Sequence, residues 1–181
     1  MRKSGLLVLI ILVLCAGCNL FKKKKRIRHF SPYVEKLFVP DLDFFRNTHL
    51  GMPLVKVKTT EKIKPANTES NLLRYEILYP KDSTTYEEYA DIEYNFNDDD
   101  KLDIITGNIY TSHQQLADSI YRDITRYLQY NFGTHNTDDY HYDVWKVKSI
   151  NYAEDSILLN VGIIQKHIED EYIITYEIMQ D

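Results

Sequence analysis

Apolar and polar residues alternate over long stretches of this chain with the period of two that marks a strand wet on one face. Leu73, Tyr75, Ile77 and Tyr79 alternate with Arg74 and Glu76, and Ala90, Ile92, Tyr94 and Phe96 alternate with Asp91, Glu93 and Asn95. The polar run NFNDDDKL then predicts a hairpin turn into a third strand, LDIITGNIY. That turn lacks the mid-loop Gly and closing Glu of an EF-hand and so does not predict a calcium loop. Strand rhythm returns three times toward the C-terminus. Trp145 and Val147 alternate with Lys146 and Lys148; Ile157, Leu159, Val161 and Ile163 form the next apolar face; Tyr172, Ile174, Tyr176 and Ile178 form the last.

Between these two sets of strands the period lengthens. Leu116, Ile120, Ile124 and Leu128 recur every fourth residue, Tyr127 widens the stripe, and Asp118 and Arg122 sit one turn apart on the other face. Ser112 with Gln115 predicts a capping box, and Gly133 a left-handed close to the helix. Upstream, LGMPLVKVKTTEK fits two periods: Val55, Lys56, Val57 and Lys58 alternate like a strand, while Gly51 and Pro53 resemble a helix entry. A helix there makes the order helix and three strands, repeated. The pattern therefore predicts an α+β domain, an antiparallel sheet of about six strands with helices packed on one face, as two helix-plus-three-strand repeats. The other face stays open to water and carries Arg74, Glu76, Asp91, Glu93, Lys146, Lys148, Asn160, Thr175 and Glu177, with Leu158 and Ile173 among them. Lys146, Lys148, Asn160, Thr175 and Glu177 are the candidate binding residues on it.

The N-terminus follows a different logic. Arg2 and Lys3 precede an apolar run from Leu6 to Leu14, and the small residues Ala16 and Gly17 come directly before Cys18, the pattern of an export signal. A spanning helix needs about 18 or more apolar residues, and LFKKKKR ends this run early. The word C-A-G-C at positions 15 to 18 resembles the bacterial lipobox, with Cys15 where that family usually has Leu. The resemblance implies cleavage after Gly17 and a lipid on the Cys18 sulfur. It divides the chain into a signal at 1–17, a lipidated N-terminus and basic linker at 18–30, and one α+β domain at 31–181. Each buried acyl methylene adds about 0.8 kcal/mol, and the cluster of Lys22, Lys23, Lys24, Lys25, Arg26 and Arg28 adds attraction to anionic headgroups. In such lipoproteins Asp after the lipidated cysteine favours the inner membrane; Asn19 here implies the outer membrane, and the basic stretch that follows implies its periplasmic side. The Gly51-Met52 opening and the element order over positions 47–179 resemble the two-repeat fold of the β-lactamase inhibitor proteins and the small outer-membrane assembly lipoproteins. That second resemblance implies an envelope protein partner engaged through the open sheet.

Charge narrows the partners further. Eight of the 22 basic residues precede His29 and no acidic residue does, which leaves 14 basic against 27 acidic beyond it. So acidic a body does not bind nucleic acid through the phosphate backbone, which needs a basic face. Both cysteines, Cys15 and Cys18, lie in or beside the signal, so the domain folds without a disulfide. Fifteen tyrosines against one tryptophan suit half-buried strands, where the ring packs and the hydroxyl reaches water.

The one constellation suited to catalysis is HNTDDYHYD, with His135, Asp138, Asp139, His141 and Asp143. Imidazoles and carboxylates so close in sequence suit a zinc-like ion, and a metal-assisted hydrolase is the alternative function. The spacing matches no established metal motif. There is no G-x-S-x-G elbow, no H-E-x-x-H helix and no phosphate-binding Gly-rich loop, and Glu87 and Glu88 point to opposite sides of a strand. The sequence thus predicts a lipid-anchored, non-enzymatic binding or accessory module with no cofactor, held to the bilayer through Cys18.

Overall fold

The computed structural model describes residues 31–38, 45–78, 89–150, 153 and 155–181. The signal, the basic linker, Cys18 and the Glu87–Glu88 pair lie outside the described residues. The elements are α1 (Pro32–Leu37), α2 (Leu54–Thr60), β1 (Asn67–Thr68), β2 (Leu72–Leu78), β3 (Tyr89–Phe96), β4 (Leu102–Thr111), α3 (Gln114–Phe132), β5 (Asn136–Thr137), β6 (Asp143–Ile150), β7 (Ser156–Ile168) and β8 (Glu171–Gln180). All eight strands join one antiparallel sheet in the order β1-β2-β3-β4-β8-β7-β6-β5. The expected six strands are thus eight. The two extra ones are exposed two-residue strands at the sheet's edges, too short and too polar to produce any periodicity. Residues 54–60 are helical, so the ambiguity at PLVKVK resolves as α2.

From α2 onward the order runs helix, two-residue strand and three antiparallel strands, and then runs so again from α3. The last strands of the two halves, β4 and β8, pair with each other at the centre. Local chemistry sets the turns. In the β3–β4 hairpin the Asn97 side-chain oxygen accepts the N–H groups of Asp99 and Lys101, while Asp100 takes a left-handed φ of 57°. The β7–β8 turn places Glu169 at φ 53°.

Strand register sorts the side chains into two layers. Tyr75, Ile92, Gly107, Tyr176 and Ile163 lie across from one another on the helix side, as do Ile77, Ala90, Ile109 and Ile174 one row over. Against them α3 lays Ala117, Ile120, Ile124, Tyr127 and Leu128, all buried. Each fully buried large apolar side chain contributes about 1.5–3 kcal/mol, so this layer is the main stabilising term. The rings of Phe38 and Phe45 pack on Tyr176 at centroid distances of 5.6 and 5.2 Å, joining α1 and the turn after it to the sheet centre. Tyr176 lies flat there because its partner is Gly107: a Cβ at that position would stand 1.9 Å from the Tyr176 Cζ. Trp145, fully buried, donates its indole N–H to the Gly133 carbonyl at 3.0 Å and so ties β6 to the end of α3.

The ends of α3 differ from expectation. The N-cap is His113, with no side-chain cap bond, so Ser112 does not form a capping box; Thr111 Oγ1 instead accepts the His113 N–H as β4 runs directly into the helix. Gly133 does close the helix at positive φ, 87°, but with ψ at −144° it is not in the left-handed helical well.

Candidate functional site

The second layer of the sheet carries the candidate binding residues. Lys146 lies opposite Asn160, Asn160 opposite Met179, Glu177 opposite Gly162, Thr175 opposite Asn108 and Lys148 opposite Leu158, so all five share the face turned away from α3. They do not form one site. Lys146, Asn160 and Glu177 line an open cleft of about 520 Å³ at the β5–β8 end of the face, together with Asn136, Thr137, Asp138, Tyr140, Tyr142, Val144, Gly162, Met179 and Asp181. Thr175 and Lys148 lie outside it. Thr175 is buried and donates its hydroxyl to the Asn108 side-chain oxygen at 2.8 Å, while Lys148 is exposed farther along β6.

The wall of the cleft is the segment between β5 and β6. The Asp138 Oδ1 accepts the N–H groups of both Tyr140 and Tyr142 at 2.9 Å, the Asp138 N–H donates to the Tyr142 carbonyl, and His141 takes a left-handed φ of 67°. This closed turn lays the Tyr142 ring over Gly162 in the neighbouring β7, where a Cβ would stand 3.1 Å from the ring. Tyr140 projects at the rim, 80% exposed. On the floor, Asp181 accepts the Lys146 ammonium with both oxygens, at 3.0 and 2.8 Å, and the Asn160 amide at 3.0 Å. Those bonds hold the Asp181 carboxyl below its usual range. Glu177 is different: burial pushes its carboxyl up, the charge of Lys166 offsets this only in part, and no donor among the described residues hydrogen-bonds it. Tyr142 is likewise raised, by burial first and then by the negative charges of Glu177 and Asp138.

The five candidate metal ligands do not converge. Asp143 turns to the helix side, where it accepts the Tyr121 hydroxyl at 2.6 Å and the Thr137 hydroxyl at 3.1 Å, with His135 Nε2 at 3.4 Å. The His135 ring packs on Trp145, 4.8 Å between centroids. Asp138 is occupied in the turn, and Asp139 and His141 are exposed on its outside. Among the described residues no three His, Cys, Asp or Glu side chains come together to hold a metal.

A second polar cluster lies inside the helix layer. Arg46 donates Nε and Nη2 to the two oxygens of Glu61 at 2.8 and 2.7 Å, and Nη1 to the Lys36 carbonyl at 2.8 Å; the Tyr94 hydroxyl also donates to Glu61. Burial opposes the charge on Arg46, and the Glu61 carboxylate more than restores it; burial and the same carboxylate push the Tyr94 phenol well up. With its acceptors filled from three directions, this cluster ties α1, the end of α2 and β3 together and leaves no group facing solvent chemistry.

Tyr140, Tyr142, Gly162, Met179 and Asp181 complete the cleft and are not among the sequence-based candidates. One signal for them is Gly162 itself, a glycine inside a β-branched run, which marks a close approach by another group. No family model matches this chain, and no curated protein or solved structure does.

Proposed function

We propose that this chain is a lipid-tethered, non-enzymatic binding module of the bacterial cell envelope. It is fastened through an acylated Cys18 to the outer membrane, faces the periplasm, and engages a partner protein through the open face of its sheet. The observation that carries the binding half is the cleft of about 520 Å³ on the uncovered face, walled by tyrosines and floored by polar groups. Its volume falls in the usual range for ligand sites, about 300–1,000 Å³. The order of elements, with two similar halves meeting at β4 and β8, is the feature on which the proposed likeness to the two-repeat lipoproteins and inhibitor proteins rests. The tether rests on the C-A-G-C word and the basic run after it; among the described residues no helix is long and apolar enough to cross a membrane.

Two experiments test the two halves. Full-length chain grown with labelled palmitate takes up label at Cys18, and Cys18→Ser abolishes it; label retained by the variant refutes the tether. A photo-crosslinking residue at Tyr140, compared with one at the exposed Arg126 on α3, tests the face. In the native envelope, Tyr140 yields a discrete adduct that unlabelled chain competes away and Arg126 does not. Adducts at neither position, or equally at both, refute binding through the sheet.

A further inference from the structure

The cleft's own hydrogen bonds indicate what its occupant must bring. Of its three carboxylates, Asp138 gives its Oδ1 to the backbone of its turn, and Asp181 gives both oxygens to Lys146 and one of them also to Asn160. Glu177 is bonded to no donor among the described residues, and the one cation that acts on it, Lys166, stands 5.7 Å from the centre of the Tyr142 ring. Diagonally across β7 the Oδ1 of Asn160 is buried and also lacks a donor, because its amide nitrogen points to Asp181. The site therefore presents the Glu177 carboxylate and the Asn160 oxygen as unused acceptors, while the Lys146 ammonium is committed to Asp181 and that of Lys166 stands at the Tyr142 ring. Glu177 is partly open to water, so an incoming cation would find a charged acceptor there, and a donor reaching the Asn160 oxygen would meet a buried hydrogen-bonding group that now has no partner.

The walls select among cations. Tyr142 lies over Gly162 and Tyr140 stands at the rim, and the faces of such rings attract positive charge. A guanidinium meets all of these features, since it is planar, stacks on aromatic rings, keeps its charge and offers donors in a fork to a carboxylate and an amide oxygen at once. The cleft is also far larger than one guanidinium, and Val144 and Met179 give an apolar surface for the backbone that carries it. The body as a whole is strongly acidic, 27 acidic residues against 14 basic beyond His29, and so attracts a basic partner.

We propose that the cleft receives an arginine side chain of the partner protein, with its guanidinium paired to Glu177 and Asn160 beside the rings of Tyr140 and Tyr142. This assignment rests on the reading of the open face as the binding surface and adds the chemistry of the occupant. The test uses full-length chain in detergent micelles, titrated with acetyl-Gly-Arg-Gly-amide and with the same peptide carrying citrulline, which keeps the shape and removes the charge. Backbone amide shifts are followed by NMR. The arginine peptide shifts Gly162, Glu177 and Tyr142 and binds at least about tenfold more tightly than the citrulline peptide. Glu177→Gln, close to isosteric, removes that difference and leaves weak citrulline binding unchanged. Equal binding of the two peptides, no binding by either, or undiminished arginine binding in Glu177→Gln overturns the assignment. If the peptides fail while the Tyr140 adduct still forms, the ligand class is wrong and the open-face reading stands. If the adduct is absent too, both fall.

Discussion

Arg46 and Glu61 form a buried pair whose removal has a calculable consequence. Their side chains are 18% and 2% exposed, so Glu61 is the dry end and cannot recover its hydration by a small movement. Arg46→Met leaves that carboxylate with the Tyr94 hydroxyl alone, and stranding one member of a buried pair costs about 3–5 kcal/mol. Against a typical domain stability of about 5–15 kcal/mol, that is a large fraction. Glu61→Leu strands the guanidinium, which keeps the Lys36 carbonyl and some access to water, and a loss at or below the lower end of that range follows. The double variant buries no charge and leaves the Tyr94 hydroxyl without its acceptor, an expected loss of about 1–3 kcal/mol. The three variants therefore show coupling of several kcal/mol in a double-mutant cycle. Urea unfolding at neutral pH, followed by the fluorescence of Trp145, the single and fully buried tryptophan, measures it directly. A loss under about 1 kcal/mol for Arg46→Met, the worth of an exposed pair, refutes the assignment of this cluster as the clasp between α1, α2 and β3. So does a double variant as unstable as the sum of the singles.

Two further predictions concern the sheet and its tyrosines. Gly107→Ala places a methyl within 2 Å of a ring already held by Phe38 and Phe45, so it destabilises by at least the usual 1–3 kcal/mol of overpacking, and Tyr176→Leu in the same chain partly rescues it; thermal melts of the single and double variants decide the matter. Burial pushes the phenols of Tyr75, Tyr110 and Tyr127 up to about 12, whereas an unfolded chain releases those protons near pH 10. Because the folded pKa is the higher, their contribution is intact below about pH 10 and is lost as pH rises toward 12, so the melting temperature falls across that window; an unchanged melting temperature there contradicts the burial of these hydroxyls.

How much of this was legible in the sequence follows from the range of the interactions. The six long strands and α3 declare themselves because one face of each is buried, and a buried face imposes its period on the residues. Asn67–Thr68 and Asn136–Thr137 are exposed on both sides and leave no such trace. The helix α1 is six residues long and leaves only a short entry-and-stripe signal, Ser31 and Pro32 followed by the buried Val34 and Leu37. Ser112 has the sequence neighbourhood of a capping box, but the pairing of β4 with β8 extends through Thr111 and moves the helix start. The two-sided sorting of Lys146, Asn160 and Glu177 came from alternation alone. Their gathering with Tyr140, Tyr142 and Asp181 depends on a turn closed by Asp138 and on Asp181 returning beside Lys146 after β8, neither of which has a period. The Arg46–Glu61 clasp joins loop positions fifteen residues apart and was invisible for the same reason.

The claim that the uncovered face is the working surface is tested most directly by hydroxyl-radical footprinting of tyrosines in the native envelope and in purified full-length chain. Tyr140, 80% exposed at the cleft rim, and Tyr130, 44% exposed on α3, report the two faces of one molecule. Occupation of the cleft predicts strong protection of Tyr140 in the envelope with Tyr130 unchanged. Equal labelling of Tyr140 in both preparations, or protection of Tyr130 instead, contradicts it.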